Sequence, residues 1–247
     1  MFIRANGLIG RKLFAVDGEL GRVEDLYLDD ETWNVRYLAV DTSDWLRDSL
    51  ILVSTCEIAG VCPLTGNCAV SLTKDILAQS PVLPAGVPVT RKFEIELCRH
   101  FGWLPYWPLS LVGLAFAPSD GGNVPIPVMR KEHAPGLRRV RENRHLHGMR
   151  GVEGHRVHAV DGDVGEVRDF ITETNDWTVR YLVVDMGLHH NQREVLMSPS
   201  WIHQADWTSG QIWVRFGADE MEASPPFEPD GKVSHEYETR LLSLIHI

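Results

Sequence analysis

Ala15-Val16-Asp17-Gly18 is followed by Gly21, Val23 and Asp25, then by Trp33, Val35-Arg36-Tyr37-Leu38 and Val40-Asp41. The same series returns 144 residues later. There it reads Ala159-Val160-Asp161-Gly162, Gly165, Val167, Asp169, Trp177, Val179-Arg180-Tyr181-Leu182 and Val184-Asp185. The register persists at Ser54/Ser198 and Ile58/Ile202, and again at Phe93-Glu94/Tyr237-Glu238. Similarity at one fixed offset marks two related modules in tandem. Residues unique to one copy are then dispensable for the fold, which removes most candidates for shared chemistry.

Working outward, each copy opens on a short apolar strand, Leu13 to Val16 or Val157 to Val160. An Asp-Gly turn follows, and Asp-Gly between apolar runs signals a hairpin because both residues tolerate positive φ. Gly21 and Gly165 fall where a side chain would obstruct a bend or a close backbone approach. A second strand is expected over Val23 to Leu28 and Val167 to Ile171. The third, Val35 to Asp41, is nearly continuous in apolar character, as suits a central strand covered on both faces. Arg36 and Arg180 interrupt it and are expected to reach the rim or pair with a carboxylate such as Asp25 or Asp169. Leu50 to Val53 and Glu194 to Met197 follow. A last strand alternates Ile212, Val214 and Phe216 inward, with Cys68, Val70 and Leu72 as equivalents. Short helices are expected at Thr73 to Gln79 and Ala218 to Ala223. Closely spaced short strands of this kind read as a small barrel or half-open sheet.

A chain of 247 residues with 44% hydrophobic content can bury two modest cores. A formal net charge of −10 argues against general nucleic-acid binding, which needs cations against phosphate. Met1 to Gly7 shows no basic segment leading into an apolar run, so no signal peptide is read and a cytoplasmic setting is expected. Cys56, Cys62, Cys68 and Cys98 all lie in the first copy, opposite Ser200, Asp206, Ile212 and Leu242. They read as reduced thiols, with Cys68 a small buried residue within a strand.

Between the modules, Thr90 can cap a helix through Phe101, with Phe93, Leu97, His100 and Phe101 on one stripe and Gly102 ending it. The cap and stripe recur as Ser234, Tyr237 and Leu241. Phe101-Gly102-Trp103-Leu104-Pro105-Tyr106-Trp107-Pro108 comes next, then an apolar run to Ala117 and a basic stretch, Arg130 to Arg150. The second copy loses register after Leu241, at Leu242-Ser243-Leu244-Ile245-His246-Ile247, and its terminal helix is expected to be cut short.

The pattern Ala-Val-Asp-Gly-x-x-Gly-x-Val-x-Asp, then Trp-x-Val-Arg-Tyr-Leu-x-Val-Asp, resembles the PRC-barrel family, and more closely bacterial proteins with two PRC-barrels in tandem. In those, a helix with a Phe/Tyr-Gly-Trp-x-Pro-Tyr-Trp ending joins the copies, and Phe101 to Trp107 matches it. The resemblance implies a mainly β fold of two tandem small PRC-type β-barrels with short helical connectors. Its divisions are a first barrel at 1–82, a connector at 83–149, a second barrel at 150–224 and a C-terminal helix start at 225–247. It further implies a docking or stabilising module without covalent chemistry, as in the photosynthetic reaction-centre H subunit and a ribosome maturation factor. The H subunit's membrane helix and the maturation factor's N-terminal barrel have no counterpart in this sequence.

The recurrent carboxylates, Asp17, Asp25 and Asp41 with Asp161, Asp169 and Asp185, admit an acid/base or calcium reading. The simpler reading is local bonding to backbone N–H groups at turns and strand ends. His133, His145, His147, His155, His158, His189, His190 and His203 have no histidine counterparts in the first copy and read as a surface cluster. No catalytic, metal or cofactor residue is assigned. Trp103, Tyr106 and Trp107 are the leading partner-binding candidates, since aromatics held by proline offer contact area at low entropy cost. The competing reading folds them back onto one module. A shallow membrane contact is the weaker option for this segment, which is short and broken by Pro105 and Pro108.

The expectation is thus a non-enzymatic adaptor whose barrels pair intramolecularly about a pseudo-twofold axis. It would dock on a protein or membrane-associated complex, photosynthetic or electron-transfer by analogy, at the inner face of the membrane. The alternative is RNA or ribosome binding through Arg138, Arg139, Arg141 and Arg144.

Overall fold

The computed structural model describes residues 1–46, 50–84, 86–107, 145–187, 193–228, 233 and 235–243. The first copy contains β1 (Phe2–Arg4), β2 (Lys12–Ala15), β3 (Gly18–Asp29), β4 (Asn34–Asp41), β5 (Leu50–Ser54), β6 (Ile58–Val61) and β7 (Cys68–Val70). Helices α1 (Lys74–Ala78) and α2 (Arg91–Phe101) follow. After the connector come β8 (Leu146–Gly148), the single turn α3 (Met149–Val152), β9 (Arg156–His158), β10 (Asp163–Glu173), β11 (Thr178–Asp185) and β12 (Glu194–Met197). The chain closes with β13 (Ile202–Asp206), β14 (Gln211–Val214), α4 (Ala218–Glu222) and α5 (His235–Ser243).

The protein is mainly β, as the sequence implies, and its main hydrophobic cluster draws residues from both copies. The sheet differs from two separate closed barrels. It is one mixed 14-stranded sheet with ten strands in the order β13-β14-β9-β10-β11-β4-β3-β2-β7-β6, while β1, β12, β5 and β8 pair off this path with β10, β11, β4 and β3, and it does not close on itself. The reason lies in who pairs with whom. β1 leads into the first copy but pairs with β10, at Phe2↔Glu173 through Arg4↔Ile171. β8 leads into the second copy but pairs with β3, at Tyr27↔Gly148 through Asp29↔Leu146. Each copy therefore hands its first strand to the other. A segment assigned to the connector, 146–148, is consequently part of the sheet.

The central turns reinforce this exchange. Trp33 and Trp177 both hold left-handed backbone, at φ 58° and 56°, a conformation costly for a bulky residue. It persists because it aims each tryptophan carbonyl at the opposite copy. Val35 N–H donates to Trp177 O and Val179 N–H to Trp33 O, both at 2.8 Å. Asn34 Nδ2 donates to Thr178 Oγ1 at 2.9 Å across the same point.

Within each copy the local signals behave as read. β2 and β3 form the Asp-Gly hairpin, and Asp17 and Asp161 each accept from the first turn of a following helix, at Lys74 N and Ala218 N. A Cβ at Gly21 would strike the Asp41 carbonyl, and one at Gly165 the Asp185 carbonyl, so β3 and β10 can pass close only with glycine there. Register shifts recur at Val23/Asp25 and Val167/Asp169, bending both long strands at the same place. β4 and β11 are buried on both faces, and Cys68 is a buried strand residue.

Candidate functional site

Helix α2 builds an elaborate side-chain constellation beside the sheet. Thr90 Oγ1 accepts from Phe93 N, and Gly102 ends the helix at φ 72°, as its sequence dictates. The buried face is Glu94, Leu97 and Cys98, one step round from the expected stripe, and His100 is exposed. Leu97 packs with Tyr37, Ala39 and Leu52 of the sheet.

The aromatic segment folds back over this helix. Trp103 stacks on Phe101 at 4.2 Å and donates its indole N–H to Glu57 Oε1 at 2.7 Å. The Tyr106 hydroxyl donates to Glu94 Oε1 at 2.8 Å. Trp107 is 7% exposed, packed with Cys98, and the Arg91 guanidinium lies 4.1 Å from its ring centre. Leu104 is the exception at 91% exposed. Its neighbours fix the backbone on both sides while its own side chain faces solvent.

Glu94 is 0% exposed, and four polar side chains converge on its carboxylate. Oε1 accepts from Tyr37 and Tyr106, at 3.2 and 2.8 Å. Oε2 lies 3.0 Å from Arg91 Nη1 and 2.8 Å from His145 Nε2. Arg36, held by Asp29 and Thr32, places its guanidinium 3.8 Å from the Tyr106 ring centre. Burial, then the Glu94 charge, push both Tyr37 and Tyr106 above the ordinary phenol value, so each remains a protonated donor. Burial likewise pushes the Cys98 thiol up to about 11, away from nucleophilic reactivity. A carboxylate so occupied joins four chain segments: β4, α2, the aromatic segment and the lead-in to β8.

The expected ion pair of Arg36 or Arg180 with Asp25 or Asp169 does not form. Arg36 pairs with Asp29 and Arg180 with Glu173, because residues seven apart meet across the tight β3–β4 and β10–β11 hairpins, and Arg180 also reaches Asp176 four residues away. Asp25 and Asp169 instead fasten the exchanged segments. Asp25 Oδ1 accepts from Arg150 N at 3.2 Å, and Asp169 Oδ1 from Asn6 N at 3.1 Å. Asp41 and Asp185 accept from Ser43 N and Gly187 N at their strand ends.

Among the described histidines, His147 and His155 both lie against Trp207. His145 joins Glu94, His147 pairs with Asp30 and stacks on Trp207, and His158 pairs with Asp163. Among the described residues, no group of three or more His, Cys, Asp or Glu is placed to hold a metal ion. Cys56 and Cys62 are exposed, while Cys68 and Cys98 are buried. No described helix is long and apolar enough to cross a membrane. Arg138, Arg139, Arg141 and Arg144 lie outside the described residues, as do His133, His189 and His190.

Sequence reasoning missed Glu94 and His145 as partners. The available signal was the recurrence of Glu94 as Glu238, an acidic residue kept beside an apolar helix stripe in both copies. Among curated proteins, none matches this chain. The exchanged-strand architecture begins with a segment of recognised type: residues 1–58 match the model of the PRC-barrel domain.

Proposed function

We propose that the protein is a non-enzymatic docking module of PRC-barrel type, in which residues 150–224 form a second copy and the two copies make an intramolecular pseudo-dimer. The matching pairings of β3–β4 and β10–β11, with the same register shifts, support the second copy. The observation that carries the docking role is Leu104, an almost fully exposed leucine between residues pinned to Glu57 and Glu94. An apolar side chain on a rigid, pre-ordered segment binds with little further entropy cost. Trp103, Tyr106 and Trp107 thus serve docking as the frame that presents Leu104. The occupant is a protein surface with an apolar recess, and a membrane-peripheral complex is the setting the domain type suggests.

Crosslinking mass spectrometry on the full chain, comparing wild type with Leu104→Ser, tests this reading. Leu104→Ser should fold normally, since solvent-exposed substitutions shift stability by roughly 0.5 kcal/mol or less, and should lose one partner set. Identical partner sets would remove the docking role from this segment. Flotation of the wild type with anionic vesicles but not of Leu104→Ser would make a lipid surface, not a protein, the occupant.

A further inference from the structure

The repeat supplies an internal control for the outer face of the sheet. β13, β14, β9 and β10 bring Gln204, Trp213, His158 and Asp163 into one cross-strand row, each the direct partner of the next. Direct partners share a face, and the alternating Val157, Ile212 and Val214 are buried, so the row points outward. The first copy lays the same row across β6, β7, β2 and β3 as Gly60, Ala69, Phe14 and Glu19. At the margin of the row, His203 and Arg215 replace Ala59 and Ser71. The first copy forms its sheet with small side chains at these places, so the larger groups of the second are not needed to hold it. Ala59, Gly60 and Ala69 are exposed, as are His203, Gln204 and Arg215, so the face is open in both copies.

The charges on this face are unevenly satisfied. His158 Nδ1 lies 2.6 Å from Asp163 Oδ1, and the imidazole stacks on the partly exposed Trp213 indole at 5.5 Å. Arg156 and Arg215 are exposed, and among the described residues neither has a carboxylate partner. Arg156 pairs with Gln211, two residues before Trp213, and Arg215 lies two residues after it. The two cations therefore flank the indole along the strand, rooted about 14 Å apart. A shallow depression of about 560 Å³ beside the row is lined by Trp213, Gln204, His203 and Val160, the last 73% exposed.

We propose that this face docks an extended acidic segment of a partner protein, with carboxylates at positions i and i+4 and an apolar residue at i+2. In an extended chain those three residues share one side and span the same length of about 14 Å. The carboxylates meet Arg156 and Arg215, and the apolar residue seats on Trp213 beside Val160. The charge-assisted pairs set the register, and the tryptophan supplies the apolar contact. Two observations favour a protein segment over RNA. His158 covers one face of the indole, which base stacking would need, and a formal net charge of −10 repels a polyanion.

This surface lies in the second copy and goes beyond the Leu104 reading, so the two can fail separately. The test titrates the full chain with the synthetic peptide Ser-Glu-Thr-Leu-Thr-Glu-Ser, followed by backbone and arginine side-chain NMR. Saturable binding that weakens with salt is expected, with shifts at Arg156, Trp213 and Arg215. Trp213→Ala should weaken it by about tenfold, and Arg215→Ser by about threefold. Each introduces the residue that the first copy carries at the equivalent position, so unfolding midpoints should stay near wild type. A peptide with glutamine for both glutamates should not bind, and Leu104→Ser should bind the acidic peptide as wild type does. Absence of saturable binding, equal affinity for the glutamine peptide, or full affinity in both variants would overturn the proposal. Tighter binding of a uridine decamer at the same residues would make RNA the occupant and also overturn it.

Discussion

The two copies share a frame and differ in what is fastened to it. Asp169 and Asp25 occupy equivalent positions and accept equivalent backbone bonds from the exchanged segments. Asp169, 2% exposed, also binds Arg4 Nε at 2.8 Å, and Arg4 reaches on to Glu194. The residue equivalent to Arg4 beside Asp25 is Gly148. Burial accordingly raises the Asp25 carboxyl above its usual range, against the backbone bonds from Arg150 and Leu26. At the helix the contrast reverses. Glu94 is closed in by Tyr106, Arg91 and His145, while Glu238 keeps the Tyr181 bond and stays half-buried. Backbone exchange holds in both copies, and side-chain compensation has gone to opposite ends of each.

That asymmetry can be broken most forcefully at the glutamates. Glu94→Ala leaves the buried His145 and the part-buried Arg91 without their carboxylate and should cost about 3–5 kcal/mol. Glu238→Ala, at a half-exposed site, should cost about 1 kcal/mol. Urea midpoints of the two variants check the ratio, and equal losses would mean the copies are balanced there.

The legibility of these features from sequence divides along physical lines. The hairpins, the Gly21 and Gly165 approaches, the buried β4 and β11 and the Thr90-to-Gly102 helix all depend on local chemistry, and all were readable. The exchange of β1 and β8 was not. Phe2–Arg4 and Leu146–Gly148 are short, and nothing in three residues says which copy's long strand they join. Arg36 pairs with a carboxylate as the sequence suggests, but with Asp29 instead of the Asp25 offered as an example. Only the hairpin geometry selects it. Glu94 was hidden because an isolated helix gives a glutamate no reason to face inward. Its partners come from β4, residue 106 and residue 145.

A middle-sized effect is expected at the lead-in strand. Arg4→Ala strands the buried Asp169 carboxylate and should cost about 2 kcal/mol, measurable by thermal or urea unfolding. Substituting Gly148, which carries no such pair, offers no equivalent loss of charge compensation.

The smallest effect is a pH dependence. Because the Asp25 carboxyl is raised in the folded protein, the native state holds its proton more tightly than the unfolded chain. That contribution is fully present below the unfolded value, about pH 4, and is lost as pH rises through the folded value. Asp25→Asn lacks this loss. Its stability relative to wild type should therefore increase between about pH 4 and neutrality. A flat or falling difference in urea midpoint across that range would show that Asp25 is compensated after all.

The central claim is that each copy is completed by the other's first strand. Amide hydrogen exchange on the full chain, with and without residues 1–4, tests it most directly. β1 hydrogen-bonds to β10, with Thr174 N–H donating to Met1 O and Ala5 N–H donating to Phe170 O. Removing residues 1–4 should deprotect the amides within 171–174 that face β1, Thr174 among them, while those facing β11 stay protected, and should leave those at 23–29 protected by β4 and β8. Deprotection confined to 23–29, with 171–174 unchanged, would contradict the exchange and place β1 within its own copy.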